Sequence, residues 1–360
     1  MWKPRRDESL RQEQLHQFDP EFNLSSQQGI FGLPFSEESA AVVIEPMPWD
    51  VTVSYREGTA EGPDAIRAQS SQLDLYDLHY ENLWREGIWM AAPRPEWHGL
   101  NEQLRPDVRA YLHHLEGRSL MAHHEEQRIV EEVNRATHRL GQWVEERTAS
   151  LLEAGKIPAW LGGEHSVPLG AMRAIGRACP GFTLLQIDAH ADLRPAYEGF
   201  THSHASIIHN ALEQAAPGRV VQVGVRDLSA QERGRIEEES RIHPFFDYEL
   251  QRQAFAGCPW DRLCDIILEA CGETVYISFD IDGLEGWYAP GTGTPVPGGL
   301  SFGQATHLLR RLAESGRRIL GFDLCEVAPG QDEWDAIVGA RMLYQLCLAS
   351  LRCYYPLSER

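Results

Sequence analysis

Between residues 40 and 355 the chain alternates short, unbroken apolar runs with longer stretches of helical periodicity, and this alternation constrains the fold more than any other feature. The runs lie in “AAVVIEPMPWDVT”, “IPAWLGGEHS”, “FTLLQIDAHADLR”, “RVVQVGVRD”, “TVYISFDID” and “RILGFDLCEVAP”. Continuous rather than alternating apolar runs belong to strands covered on both faces. The expected fold class is therefore α/β, a three-layer αβα arrangement with a mainly parallel central sheet. Helices are expected over residues 125–154, where Ile129, Val133, Leu140 and Val144 follow the helical period, and near 166–178, 203–215, 301–315 and 333–352. Residues 86–116 read as an irregular excursion, because Pro93, Pro95 and Pro106 exclude a long helix and leave room for one only around 106–115. Residues 1–38 are polar and lack periodicity. They are expected to form an N-terminal arm, with “GIFGLPF” lying on a single domain that spans 39–360.

In a parallel sheet the ligand site lies at the carboxyl ends of the strands, so polar residues should collect there. Strand 157–161 runs into Gly162-Gly163-Glu164-His165-Ser166, and strand 182–188 into Asp188-Ala189-His190-Ala191-Asp192. Strand 275–279 ends in Asp280-Ile281-Asp282, and strand 319–324 in Cys325-Glu326-Val327. Asp188, His190 and Asp192 are spaced two apart and share one face of an extended segment. Taken singly, such a run has two readings, a metal site or aspartates capping a turn beside a satisfied histidine. The four ends together supply four aspartates, two histidines and at least one glutamate, more buried charge than a protein holds without cations. Two divalent ions sharing carboxylates accommodate the set. An oxygen-rich shell with imidazoles suits Mn²⁺, with Ni²⁺, Co²⁺ or Fe²⁺ also compatible, better than a thiolate zinc site.

A formal net charge of -20 argues against nucleic acid or an anionic membrane as partner and favours a cationic ligand. The seven cysteines are scattered without a C-x-x-C pair and read as reduced thiols of a cytoplasmic protein. The first residues lack the apolar core of a secretory signal, and no run reaches membrane-spanning length.

The segments “GGEHS”, “DAHADLR”, “SFDIDGLEGWYAPGTGTPVPGG” and “DLCEVAP” occur in the order found in the ureohydrolases, and over roughly residues 40–355 the chain resembles that family of arginases, agmatinases and their relatives. The resemblance implies an arginase-like fold with two metal ions. His165, Asp188, Asp192 and Asp280 would surround one ion. His190 and Asp282 would hold the other, with Asp188 and Asp280 bridging. A hydroxide between the ions would attack a guanidinium carbon, Asp192 would take its proton, and Glu326 would pair with the substrate cation. “HSHASI” corresponds to the segment bearing the family's active-site histidine, for which His204 is the better match and His202 the alternative. The implied products are urea plus ammonia or an amine, and the implied assembly is a homo-oligomer, a trimer or hexamer.

The chain departs from the family pattern at Glu285-Gly286, where Asp-Pro is usual, and at Trp287, where a small residue is usual. A tryptophan beside the metal loop leads us to expect a narrowed, substrate-contacting pocket, with guanidine level with or ahead of agmatine and arginine less favoured. Two other readings are a single-metal deacetylase-type amidohydrolase, which would leave His165, Asp192 and Asp282 idle, and a non-catalytic ureohydrolase-like binding subunit, whose signature would be degenerate ligands.

Overall fold

A computed structural model describes residues 4–22, 29–330 and 332–357. Eight strands, β1 (Val42–Met47), β2 (Ile88–Met90), β3 (Ile157–Gly162), β4 (Thr183–Ile187), β5 (Arg219–Val223), β6 (Ile242–Phe245), β7 (Thr274–Asp280) and β8 (Arg318–Cys325), form one sheet in the order β2-β1-β3-β8-β7-β4-β5-β6. Every neighbouring pair is parallel. The four strands whose ends carry the acidic motifs, β3, β8, β7 and β4, are consecutive in the middle of this order. Their carboxyl ends therefore converge, although the motifs are spread over some 160 residues of sequence.

Strand pleating sends alternate side chains into two cores. Val275, Ile277 and Phe279 of β7 enter one, with the helices Gly62–Ser70, Trp260–Ala270, Phe302–Glu314 and Trp334–Arg352. Tyr276 enters the other, with the helices Pro95–Leu115, His123–Glu153, Leu169–Ala178 and Ile207–Gln214. Three layers follow directly from strands that are apolar on both faces.

Three regions differ from the sequence expectation. The stretch read as irregular contains the 21-residue helix Pro95–Leu115, with Pro106 inside it, preceded by the edge strand β2. An interior proline costs about 3 kcal/mol. Burial of Trp97, Leu104, Val108, Tyr111 and Leu112 along one face, at about 1.5–3 kcal/mol for each large apolar side chain, outweighs it. Residues 228–273, left unassigned from the sequence, hold β6 and the helices Ala230–Glu238, Asp247–Phe255 and Trp260–Ala270. The N-terminal arm contains the helix Glu8–Gln17, capped by Asp7. This helix has almost no apolar face. It is fastened by polar contacts instead: Arg11 Nη1 donates to the Arg85 carbonyl at 2.6 Å, Arg6 pairs with Glu86, and Arg5 N donates to Gly155 O at 2.7 Å. “GIFGLPF” lies on the body as expected, with Ile30, Phe31, Leu33 and Phe35 buried. No helix among the described residues is long and apolar enough to cross a membrane.

Candidate metal centre and active site

Two groups of ligand atoms gather at the ends of the central strands. His165, Asp188 and Asp280 form one, Asp188, His190 and Asp282 the other, and Asp188 belongs to both. His165 follows β3, Asp188 and His190 follow β4, Asp280 ends β7, and Asp282 lies in the single 3-10 turn Ile281–Gly283 that follows it. His165 Nδ1 lies 3.1 Å from Asp188 Oδ2, 3.2 Å from Asp192 Oδ2 and 3.4 Å from Asp280 Oδ2. His190 Nδ1 lies 3.0 Å from Asp282 Oδ2. Asp192 therefore reaches the first group through His165, while Asp280 falls in the first group and not in the second.

The surrounding protein orients each ligand. His165 Nε2 donates to Ser278 Oγ at 2.8 Å, which donates to Asp323 Oδ1 at 3.1 Å, so Nδ1 is left for the carboxylates. Asp188 accepts from its own loop at His190 N (2.6 Å) and from Gln186 Nε2 (2.7 Å). Asp282 Oδ1 accepts from Ala189 N, and Asp280 Oδ1 from Asp282 N. Gly163 lets the β3 end close against the neighbouring loop, since a Cβ there would sit 2.1 Å from Trp49 O.

This arrangement fits divalent cations. His165 Nδ1 is buried, has no hydrogen-bond partner and faces three carboxylate oxygens. Without a cation the groups burden one another. Burial, then repulsion from Asp188, pushes Asp192 up to about 7, and burial with Asp282 and Asp188 holds Asp280 well above the carboxylate range. Burial disfavours charge on His190, but Asp282 and Asp188 overcome it and push this imidazole up to about 12. Cations relieve these conflicts together, and the ligand set is oxygen and imidazole without thiolate.

A cavity of about 510 Å³ opens onto the two groups, lined at its floor by His165, His190, Asp192, Asp280 and Glu326. Glu326 Oε1 accepts from His165 N at 2.8 Å, and burial followed by the charge of Glu164 holds its carboxyl well above the usual range. His204 lies in the wall, where burial and the charge of His190 push its imidazole down to about 4. Such a site, at the carboxyl ends of a parallel sheet, is that of a metal-dependent hydrolase with two metal positions.

The chain belongs to the Arginase family, whose profile matches residues 40–349. N(1)-aminopropylagmatine ureohydrolase of Thermus thermophilus is 32% identical over 308 residues, 85% of this chain and 89% of that protein. Agmatinase of Bacillus anthracis is 30% identical over 300 residues, 83% of this chain and 88% of that protein. The crystal structure of agmatine ureohydrolase of Thermoplasma volcanium has a TM-score of 0.69 at 25% identity, covering 92% of this chain and 97% of that one. The fold and the agmatinase-like resemblance read from the motifs hold.

Two residues expected at the site are not brought to it. His202 is half-buried, with Nδ1 3.2 Å from Thr201 Oγ1 and its ring against His138, and it does not line the cavity. Trp287 is 68% exposed; its indole donates to Glu285 Oε2 at 2.9 Å and its ring packs on Tyr288. The loop after Asp282 turns outward there, and only its later residues Thr294, Pro295 and Val296 reach the cavity. The pocket is thus not narrowed by Trp287. Sequence reasoning also passed over Asp323 and Ser278, whose signal was a charged and a hydroxyl residue inside otherwise apolar strands.

Proposed function

We propose that the chain hydrolyses the bond between the guanidino carbon and the tail-bearing nitrogen of a substituted guanidino compound, such as agmatine, giving urea and a primary amine. Water adds to the guanidinium carbon, the bond to the tail nitrogen breaks, and that nitrogen leaves as an ammonium. The observation that carries this reading is the pair of buried ligand groups sharing Asp188 at the floor of a cavity that also presents Glu326. His165, Asp188, Asp192 and Asp280 would hold one divalent ion, and His190, Asp282, Asp188 and Asp280 the other; Mn²⁺ is the first choice and Ni²⁺ the second. When bound, such a pair lowers the pKa of water towards neutrality and so supplies a nucleophile. Glu326 pairs with the guanidinium and fixes its plane, Asp192 takes a proton from the water, and His204 hands a proton to the departing nitrogen.

A tail is favoured over free guanidine because the cavity extends past its floor to Tyr55, Arg56, Arg194, Tyr197 and Asp227. The aminopropylagmatine and agmatine named for the relatives both have tails. A reducing, cytoplasmic setting agrees with seven unpaired cysteines, and a homo-oligomer, trimer or hexamer, agrees with the exposed Trp287 and Trp334. Urea release from guanidine, agmatine, aminopropylagmatine and arginine tests the reading. It predicts highest kcat/KM for one of the two tailed amines; no urea from any guanidino compound, or highest efficiency with guanidine, contradicts it.

A further inference from the structure

Thr52 and Glu164 take no part in the reaction described above, yet both are buried beside it. Thr52 Oγ1 donates to Glu164 Oε1 at 2.8 Å, and Thr52 N donates to Glu164 Oε2 at 2.7 Å. Ser166 Oγ donates to the same carboxylate at 2.5 Å. With three donors aimed at it, Glu164 acts as the acceptor, and the single proton of the Thr52 hydroxyl is engaged there. The lone pairs of Thr52 Oγ1 then face His204. The backbone N–H of His204 donates to this oxygen at 3.2 Å, and His204 Nδ1 lies 3.4 Å from it.

An oxygen in that state can accept but has nothing left to donate, so the contact between Thr52 Oγ1 and Nδ1 is favourable only when Nδ1 carries hydrogen. We propose that Thr52, oriented by Glu164, is a positioning residue that holds His204 as the Nδ1–H tautomer and leaves Nε2 unprotonated towards the cavity. In catalysis Nε2 takes up a proton and releases it to the leaving nitrogen, while Nδ1 keeps its own. Ser203 Oγ is the other oxygen near Nδ1, at 3.3 Å, and it accepts from Ala205 N at 3.2 Å. Were Ser203 to donate to a bare Nδ1, the nitrogen lone pair would be set against those of Thr52.

The catalytic consequence rests on the function proposed for His204; the tautomer does not. Nitrogen NMR of histidine-labelled, metal-free protein reads it directly, with the His204 signals assigned by their loss in His204→Asn. The expected result is a protonated Nδ1 and a bare Nε2, unchanged in Ser203→Ala and mixed with the other tautomer in Thr52→Val. In metal-loaded enzyme, Thr52→Val should lower kcat by about tenfold or more with KM within about threefold. Thr52→Ser, which restores the hydroxyl, should recover the kcat. A protonated Nε2 in the wild type overturns the inference without reference to activity, as does a Thr52→Val enzyme with wild-type tautomer and kcat. Absence of urea release from the wild type would instead count against the proposed function.

Discussion

Asp192 and Glu326 both sit in the left-handed half of backbone space, with φ of 53° and 63°. Neither is glycine, so each conformation carries a cost of about 1–2 kcal/mol. Both are held in place by the surrounding chain: Ile208 N and His209 N donate to the Asp192 carbonyl at 3.1 Å, Glu326 N donates to Gly163 O at 2.7 Å, and Thr292 Oγ1 donates to Glu326 O at 2.8 Å. The strain falls on the two carboxylates assigned to proton transfer and substrate binding. Glu326→Gln keeps the shape and removes the charge, so kcat/KM should fall by about 1.5–3 kcal/mol, the worth of a charged hydrogen bond, with metal content unchanged. Loss of metal in this variant would show that Glu326 is a ligand. Burial raises the Glu326 carboxyl, so lowering the pH protonates it and removes the charge proposed to pair with guanidinium. Wild-type kcat/KM should therefore decline on the acid side, and the part of that decline owed to Glu326 should be missing in Glu326→Gln. Trp287→Ser should leave the ratio of kcat/KM for agmatine and guanidine within about threefold of wild type, since an exposed ring outside the cavity does not discriminate transition states. A larger shift in that ratio would return Trp287 to the substrate pocket. The metal-site residues were legible because each follows an apolar run at fixed spacing. The direction of Trp287 was not, because a loop's course depends on contacts such as Trp334 Nε1 to Trp287 O that no local pattern encodes.

At the scale of elements, the helix Pro95–Leu115 shows how a segment remote from the motifs shapes the cavity. Its buried Arg105 donates through Nη1 to the carbonyls of Val51 and Val53, at 2.9 and 3.0 Å, and pairs with Glu57 at 2.7 Å. These contacts bracket Thr52 and anchor the loop that brings Ser54, Tyr55 and Arg56 to the cavity wall. Arg105→Met should cost about 2–4 kcal/mol of stability, from two orphaned carbonyls and a broken ion pair, and should raise KM as the wall loosens. Urea unfolding with parallel kinetics checks both; unchanged stability and KM would mean that the loop holds itself. The helix was hidden in the sequence by Pro106, and the helix Glu8–Gln17 by its lack of an apolar stripe. The central strands were evident because burial on both faces of a strand leaves a short apolar run bounded by turn residues, a pattern that surface elements do not produce. The edge strands β2 and β6 were missed. They are only three and four residues long, Trp89 and three of the four residues of β6 are only partly buried, and the apolar signal weakens accordingly.

For the whole molecule, the order of the sheet turns four separated motifs into one site, because β3, β8, β7 and β4 lie side by side. The same convergence packs four aspartates into a chain already at net charge -20, and two divalent cations are the economical resolution. The most direct test is to strip the protein with chelator, add Mn²⁺ stepwise, and follow bound metal and urea release on the same samples. Two ions per chain are predicted, with urea release appearing as the second is taken up, and Asp280→Ala should lose both metal and turnover. Saturation of binding and activity at one ion per chain, or an Asp280→Ala protein with full metal and wild-type rate, would contradict the two-metal site.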